Sequence, residues 1–359
     1  MTARRRVALL LEAARDAFGP TRPTDLVAAL ATESGLHPEN VRWALDHALE
    51  LHPTDAELDA LFTCAPCHSA VLVSLAANVF VAPLRALAWA LAQSDRVFVR
   101  ASQRAQTFPR ALVARVPSLF AGALACSTDP SSDLGALVAQ LPPGAALHAY
   151  GNETTLRAIG AQAARHGVSL EAHGPGFGAI VDEAAVLIEH ARAIARDVVA
   201  FDQAGCLSPR IVIATGDADE AAEALHAALA EFGAEVPRRR LDPHEHAALA
   251  RLRDAAIYAG FAREGASHLV ARLPDPSLGP AARALVVTGA RDEADAVARL
   301  RRLGPELACL ATSSDAVAGA FPGARRAPLG RMQRPPLDGP VDRRGLEPRR
   351  PRTNDDVTT

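Results

Sequence analysis

The stretch Ala70-Val71-Leu72-Val73-Ser74-Leu75 interrupts a chain that until then reads as helix. A short, continuous apolar run of this kind is typical of a strand covered on both faces. A helical pattern follows from about Val81 to Gln93, and then a second apolar run at Val97-Phe98-Val99. The alternation continues: helix Phe108 to Leu124, helix Asp133 to Gln140, strand Ala146 to Ala149, helix Glu153 to His166, strand Val168 to Glu171. Strand and helix taking turns across short links predict a parallel α/β sheet. Upstream, Val7, Leu10, Leu11 and Ala14, then Leu26, Ala29 and Leu30, then Val41, Ala44, Leu45, Ala48 and Leu49 recur at helical spacing, so residues 1–62 are expected to form a helical N-terminal segment.

Downstream, Gly174-Pro175-Gly176-Phe177-Gly178 reads as a bend between two units, because Pro175 removes a backbone donor that a phosphate loop would need. A second α/β unit is expected after it, with a helix near Glu183 to Phe201, strand Ile211 to Ala214, helices Asp219 to Phe232 and Pro243 to Ala259, strand Leu285 to Thr288, helix Glu293 to Leu303 and strand Leu307 to Ala311. From Pro322 the chain is rich in Pro, Arg and Gly; it is expected to drape over the body, with the last ten or so residues disordered.

Of 359 residues, 49% are apolar, enough for a large core, and the formal charge is −3. That balance provides no broad positive field for nucleic acid or anionic lipid. Apolar runs are broken by Asn78 and Arg85 before they reach the length of a membrane span, and Glu12, Arg15 and Asp16 cut short the leader-like start, so a cytoplasmic location is expected. All 38 basic residues are arginine. This excludes Schiff-base, pyridoxal-anchor and phosphate-loop lysines, whose chemistry needs an amine.

Cys64-Ala65-Pro66-Cys67-His68 has the spacing of a haem attachment site or a redox pair, but it precedes its strand and supplies too few ligands for zinc, so incidental loop cysteines are the expectation. Asp242-Pro243-His244-Glu245-His246 reads as helix cap and surface ahead of a metal site. Cys206 differs. It lies in a glycine-flanked turn, Asp202-Gln203-Ala204-Gly205-Cys206-Leu207-Ser208-Pro209, just before an apolar strand, where backbone N–H groups can activate a thiol and a carbonyl can approach. On the local pattern alone, a buried structural cysteine fits as well.

The segment Phe201 to Pro209 resembles the nucleophile loop of the LuxC-type long-chain acyl-CoA reductase (fatty acid reductase) family, a branch of the aldehyde dehydrogenase superfamily. Leu75-Ala76-Ala77-Asn78-Val79-Phe80-Val81-Ala82-Pro83-Leu84-Arg85, Val97-Phe98-Val99-Arg100-Ala101-Ser102 and Gly330-Arg331-Met332-Gln333-Arg334-Pro335-Pro336-Leu337-Asp338 are similar to further family stretches, in order, within a similarity running from about Asn40 to Asn354. The resemblance implies an aldehyde dehydrogenase-like α/β fold. A parallel-sheet dinucleotide-binding domain over 63–172 would be followed by a catalytic α/β domain over 173–337 and a tail over 338–359.

It also implies roles. Cys206 resembles the nucleophile that takes the acyl group as an enzyme thioester, and Asn78 the side-chain donor that, with the Cys206 N–H, stabilises the oxyanion. Gly151 and Asn152 stand at the turn beside the cofactor pyrophosphate, with Asn152 in place of the usual serine. Arg100 stands where many relatives carry a lysine near the adenosine ribose; with Ser102 and Arg104 it would grip a 2′-phosphate, favouring NADPH. Glu171, 35 residues before Cys206, matches the superfamily's spacing of general base to nucleophile, although Ala172-His173-Gly174 departs from the usual residues; Glu171 or His173 would orient groups or relay a proton. The implied reaction is reduction of a long-chain acyl-CoA, or of an acyl group delivered by an acyl carrier protein or acyl-transferring partner, to a fatty aldehyde. Oxidation of an aldehyde to an acid is the alternative, and a catalytically silent binding subunit of a biosynthetic complex is another. Superfamily members are usually oligomers, and a homo-oligomer is compatible with the sequence although no interface is legible in it.

Overall fold

The computed structural model describes residues 1–120 and 134–344. Four helices open the chain: α1 (Ala3–Phe18), α2 (Thr24–Ser34), α3 (Pro38–His47) and α4 (Asp55–Cys64). Side chains fix their starts, Thr2 accepting from the Arg5 N–H and Thr54 forming a reciprocal capping box with Glu57. Their apolar faces share one core with the first sheet, where Phe18 stacks on Phe108 with ring centroids 4.0 Å apart.

The first sheet is built from β1 (Val71–Ser74), α5 (Ala82–Gln93), β2 (Val97–Arg100), α6 (Thr107–Val113), α7 (Pro117–Phe120), α8 (Leu134–Ala139), β3 (Ala146–Tyr150), α9 (Glu153–Arg165) and β4 (Ser169–His173). The order is β2-β1-β3-β4, with every pair parallel. Because β1 is central, the chain leaves it toward one side and returns on the other. The carboxyl ends of β1, β2 and β3 therefore open at a topological switch point, the usual place for a ligand in such sheets. The single helix expected from Phe108 to Leu124 is instead α6 and α7, broken at Ala114–Val116; its end from residue 121, and Asp133, lie outside the described residues.

The second sheet comprises β5 (Phe177–Glu183), α10 (Ala184–Glu189), α11 (Ala191–Val199), β6 (Pro209–Thr215), α12 (Ala218–Glu235), α13 (Pro243–Ala259), β7 (Phe261–Glu264), β8 (Leu269–Arg272), β9 (Ala284–Ala290), α14 (Glu293–Arg301), β10 (Leu307–Ala311), α15 (Asp315–Gly319) and β11 (Arg325–Ala327). Its order is β11-β10-β5-β6-β9-β8-β7, parallel except for the β7–β8 hairpin. The glycine-rich passage is a correction to the sequence reading. From Phe177 it is already an interior strand, and Gly178 is there for close approach: a Cβ would lie 2.3 Å from the Leu207 carbonyl oxygen and 2.7 Å from Met332 Cε. The Gly178 N–H donates to Ser208 O at 2.8 Å. The helix expected over Glu183 to Phe201 is likewise divided at His190 into α10 and α11.

After β11 the chain turns back across both units as a strap. Arg85, on α5 and 2% exposed, donates to Glu50 Oε1 at 2.7 and 3.0 Å, to the carbonyls of Pro335 and Pro336 at 2.6 and 2.8 Å, and to that of Gly339 at 3.0 Å. Arg325 holds the far side through Asp338 at 2.8 Å and the Pro340 carbonyl at 2.5 Å. Thus the proline-rich segment is fixed by two buried guanidinium groups rather than by a core of its own. Residues 345–359, including the expected disordered end, lie outside the described residues. No described helix is long and apolar enough to cross a membrane.

Removing one partner of a buried pair strands the other, at a cost of about 3–5 kcal/mol. Arg85→Ala is therefore expected to lower the free energy of unfolding by about that amount in a urea titration, while the Glu50→Ala/Arg85→Ala double variant recovers part of the loss.

Candidate active site

Cys206 sits three residues ahead of β6, at the amino edge of the second sheet, on a backbone that an ordinary loop would avoid. Phe201, Asp202 and Gln203 all have left-handed torsions, with φ of 54°, 50° and 63°; each costs a non-glycine residue about 1–2 kcal/mol. Buried polar contacts offset that cost. Asp202 accepts from Arg283 Nε at 2.7 Å, from Asn40 Nδ2 at 3.2 Å and from the Arg239 N–H at 3.0 Å. Asn40, on α3, also accepts from the Phe201 N–H at 3.2 Å. Gln203 donates to the carbonyls of Pro209 and Ala284 and accepts from the Ala284 N–H, all within 2.9 Å. Three separate parts of the chain thus pin one turn.

The loop after β1 meets this turn. Asn78 Nδ2 donates to the Ala204 carbonyl at 3.1 Å, Val79 lies against Gly205, and Phe80 packs edge-on against Phe201 with centroids 5.8 Å apart. The amide uses one of its two N–H bonds on Ala204, so one donor is left. The structure therefore brings Asn78 and the Cys206 turn together from different sheets.

Glu171 and His173, on β4, belong to a neighbouring cluster. Glu171 Oε2 accepts from Trp89 Nε1 at 3.0 Å and lies 3.3 Å from His148 Nε2, without hydrogen-bond geometry between the two. His173 is buried, its two ring nitrogens have no hydrogen-bond partner, and Tyr150 stacks on it with centroids 4.2 Å apart. Burial drives His148 down to about 3 and His173 down to about 4, so both rings are neutral near pH 7. Burial holds the Tyr150 hydroxyl far above its ordinary range, with the charges of Glu171 and Cys206 acting in the same direction.

The strap supplies groups that sequence reasoning missed. Arg344 donates to Asp342 Oδ1 and Oδ2 at 2.8 and 2.7 Å and to the Pro175 carbonyl at 2.9 Å, closing over the link between the two sheets. Cys206 is partly exposed but densely surrounded; lost hydration, then the Asp342 carboxylate, push its thiol up to about 11, against the pull of Arg344 and Arg325. The family-like signature at Gly330–Asp338 hinted at this strap, but nothing in the sequence placed residues 342 and 344 beside the thiol.

The cofactor candidates gather at the carboxyl edge of the first sheet. Arg100, ending β2, donates to Ser74 Oγ at 3.3 Å and keeps a buried Nε without a partner. Ser102 accepts from the Arg104 N–H at 3.4 Å. Asn152 caps α9 by accepting from the Thr155 N–H at 2.8 Å, and the Gly151 N–H is already given to His173 O at 3.2 Å. A phosphate at this helix start would therefore meet the N–H groups after Gly151 rather than that of Gly151 itself. The orphaned Arg100 donor and the open helix start fit a dinucleotide.

The other sequence candidates are not gathered here. Cys64 and Cys67 are exposed free thiols at the end of α4, and Asp242 and Glu245 form the capping box of α13, with Glu245 also paired to Arg239. No group of three or more potential metal ligands occurs among the described residues.

A model of the family described as acyl-CoA reductase (LuxC) matches residues 36–271. Among solved structures, an oxidoreductase from Marinobacter aquaeolei is similar with a TM-score of 0.67 at 13% identity, over 92% of this chain and 78% of that one. A NAD-dependent benzaldehyde dehydrogenase from Corynebacterium glutamicum gives 0.63 at 16%, over 93% and 83%, and an E. coli NADP-dependent enzyme gives 0.65 at 14%, over 92% and 78%. A comparison with curated proteins found no match. The structural likenesses establish an aldehyde dehydrogenase-like α/β fold.

Since the thiolate is the reactive form, alkylation of Cys206 by iodoacetamide, followed by peptide mass mapping, is expected to accelerate about tenfold per pH unit from pH 7 toward 10. Asp342→Asn should shift that profile to lower pH and Arg344→Ala to higher pH; identical profiles in all three proteins would remove these two groups from the thiol's surroundings.

Proposed function

The chain belongs to the LuxC family of acyl-CoA reductases, oxidoreductases of the aldehyde dehydrogenase superfamily, and on that premise we propose that it reduces long-chain acyl thioesters to aldehydes, with NADPH as reductant and Cys206 as nucleophile. The observation that carries the reading is the meeting of Asn78 with the Cys206 turn, next to the sheet edge where Arg100 and the α9 start lie. We assign the first sheet to dinucleotide binding and the second to catalysis. Arg100, Ser102, Arg104 and the N–H groups from Asn152 onward would hold the dinucleotide, the arginines favouring a 2′-phosphate. When bound, it supplies a hydride.

The chain's own residues account for the other steps. The Cys206 sulfur attacks the thioester carbonyl carbon, a new carbon–sulfur bond forms, and the departing thiolate takes up a proton. The remaining Asn78 N–H and the Cys206 N–H stabilise the carbonyl oxygen as it gains charge, both here and after reduction. The bond to Cys206 then breaks, the aldehyde leaves and the sulfur regains its proton. Neutral His148 and His173 keep Glu171 free of a permanent cationic partner, and Trp89 fixes one of its oxygens.

A second reading, oxidation of an aldehyde to an acid, is supported by Glu171. This carboxylate stands on β4 with Trp89 on one oxygen and a neutral His148 beside it, and a base there would activate hydrolytic water. Turnover can be followed by the absorbance of the reduced nicotinamide with fatty acyl-CoA of graded chain length. Cys206→Ala is expected to abolish consumption, and Asn78→Ala to lower kcat by about 10²–10³. Arg100→Ala should reduce the preference for NADPH over NADH. Glu171→Gln should leave reduction within a few-fold; a loss confined to aldehyde oxidation with NAD+ would select the second reading.

A further inference from the structure

At the amino edge of the second sheet, two strands along from Cys206, a cavity of about 530 Å³ is lined by Arg238, Arg239, Arg240, His246, Ser267 and His268, among others. Its size falls within the roughly 300–1,000 Å³ of small-molecule sites. The strand order β6-β9-β8 places β8, just after His268, roughly 10 Å from β6. The cavity therefore opens on the same edge as the nucleophile turn, apart from the nucleotide residues of the first sheet.

The charges around it are unevenly matched. Arg239 pairs with Glu245, and Arg283 beneath the cavity pairs with Asp202. Arg238 gives one bond to the Ala282 carbonyl at 3.2 Å, and neither it nor Arg240 makes an ion pair with a carboxylate among the described residues. His268 is 2% exposed, its Nε2 lies 2.9 Å from His226 Nδ1, and its Nδ1 has no partner. Burial first, then His226, Arg238 and Arg283, hold the His268 ring down at about 4, and the carboxylates whose charge reaches Arg238 are Asp202, Glu245 and Glu264, the first two already paired with Arg283 and Arg239. Two guanidinium groups without a carboxylate ion pair, a hydroxyl and a buried imidazole line one cavity, a set of donors suited to an oxyanion, and the guanidinium fork can donate to two oxygens of a phosphate at once.

We propose that this cavity is a binding site for a phosphate ester, separate from the dinucleotide groove. The ester is either the phosphorylated end of the thioester carrier or a free phosphorylated metabolite. Arg239 links it to the active site, because its N–H holds Asp202 in the nucleophile turn.

Calorimetry at constant ionic strength, with inorganic pyrophosphate as probe, tests the site without requiring turnover, so it can fail independently of the proposed reductase activity. Saturable binding to the full chain is expected, weakened tenfold or more in Arg238→Ala/Arg240→Ala and partly kept in Arg238→Lys/Arg240→Lys, with unchanged thermal melting of the free proteins. No saturable binding, or binding indifferent to these substitutions, would overturn the proposal, as would binding lost instead in Arg100→Ala. Coenzyme A identifies the source: competition with pyrophosphate that depends on the two arginines assigns the carrier end, whereas coenzyme A binding unaffected by the double variant, alongside arginine-dependent pyrophosphate binding, assigns a free metabolite.

Discussion

The pairing of Asp202 with Arg283 underlies the geometry of the candidate site. Phe201, Asp202, Gln203 and Arg283 are the four non-glycine residues with positive φ among the described residues, and they meet in one buried network. Three unfavourable torsions in succession persist only where the surroundings over-determine them. Here Arg283 supplies charge, Asn40 and Gln203 supply amides, and β9 supplies the rigid edge to which Gln203 is tied. The result is a turn that meets the loop after β1 at Ala204 and Gly205, with Cys206 packed against the core of the second sheet and Phe201 and Asp202 kept inside. Without Arg283 the buried carboxylate would keep only the more distant Arg239 guanidinium, 4.0 Å away, as a charged partner, and without Asp202 the Arg283 guanidinium would be left among carbonyls, so the turn would have reason to relax toward ordinary torsions.

That network also explains why the N-terminal helices matter. Asn40 reaches from α3 to the turn before Cys206, so a segment that forms no part of either sheet helps to shape the candidate site. The strap works similarly from the other end, with Arg85 and Arg325 satisfying carbonyls that a proline-rich stretch cannot satisfy for itself. Its last described residues close over Gly174 and Pro175. Both chain ends thus support the meeting of the two sheets, and the site is a product of long-range contacts more than of local sequence.

The sequence made the first sheet legible because its strands are short apolar runs between clear helices, and the structure repeats β1, β2, β3 and β4 within a residue or two. It failed at β5, where glycines looked like a bend although Gly178 serves a close backbone approach, and at β7, β8, α15 and β11, which are too short or too exposed to carry a period. Cys206 and Asn78 stand out as candidates through resemblance. Asp202, Gln203 and Arg283 do not, because left-handed torsions of non-glycine residues leave no trace in composition, and Arg283 lies 81 positions from its partner. Asp342 and Arg344 escaped because they lie more than a hundred positions from Cys206 in the chain and only the fold brings their charges to bear on it.

The surroundings of Cys206 make opposing demands. Burial raises the thiol to about 11, which keeps the free sulfur protonated and poorly reactive near pH 7, yet the same exclusion of water strengthens every donor aimed at a developing oxyanion. On the proposed mechanism, a site that carries an acyl thioester from one step to the next gains from this arrangement, since exclusion of water also protects the intermediate from hydrolysis. Asp342 and Arg344 act on the sulfur with opposite sign from a single strap, where they are paired with each other. Lost hydration remains the larger influence on the thiol, and the two charges that adjust it come from a segment held by Arg85 and Arg325, outside the two sheets that place the sulfur.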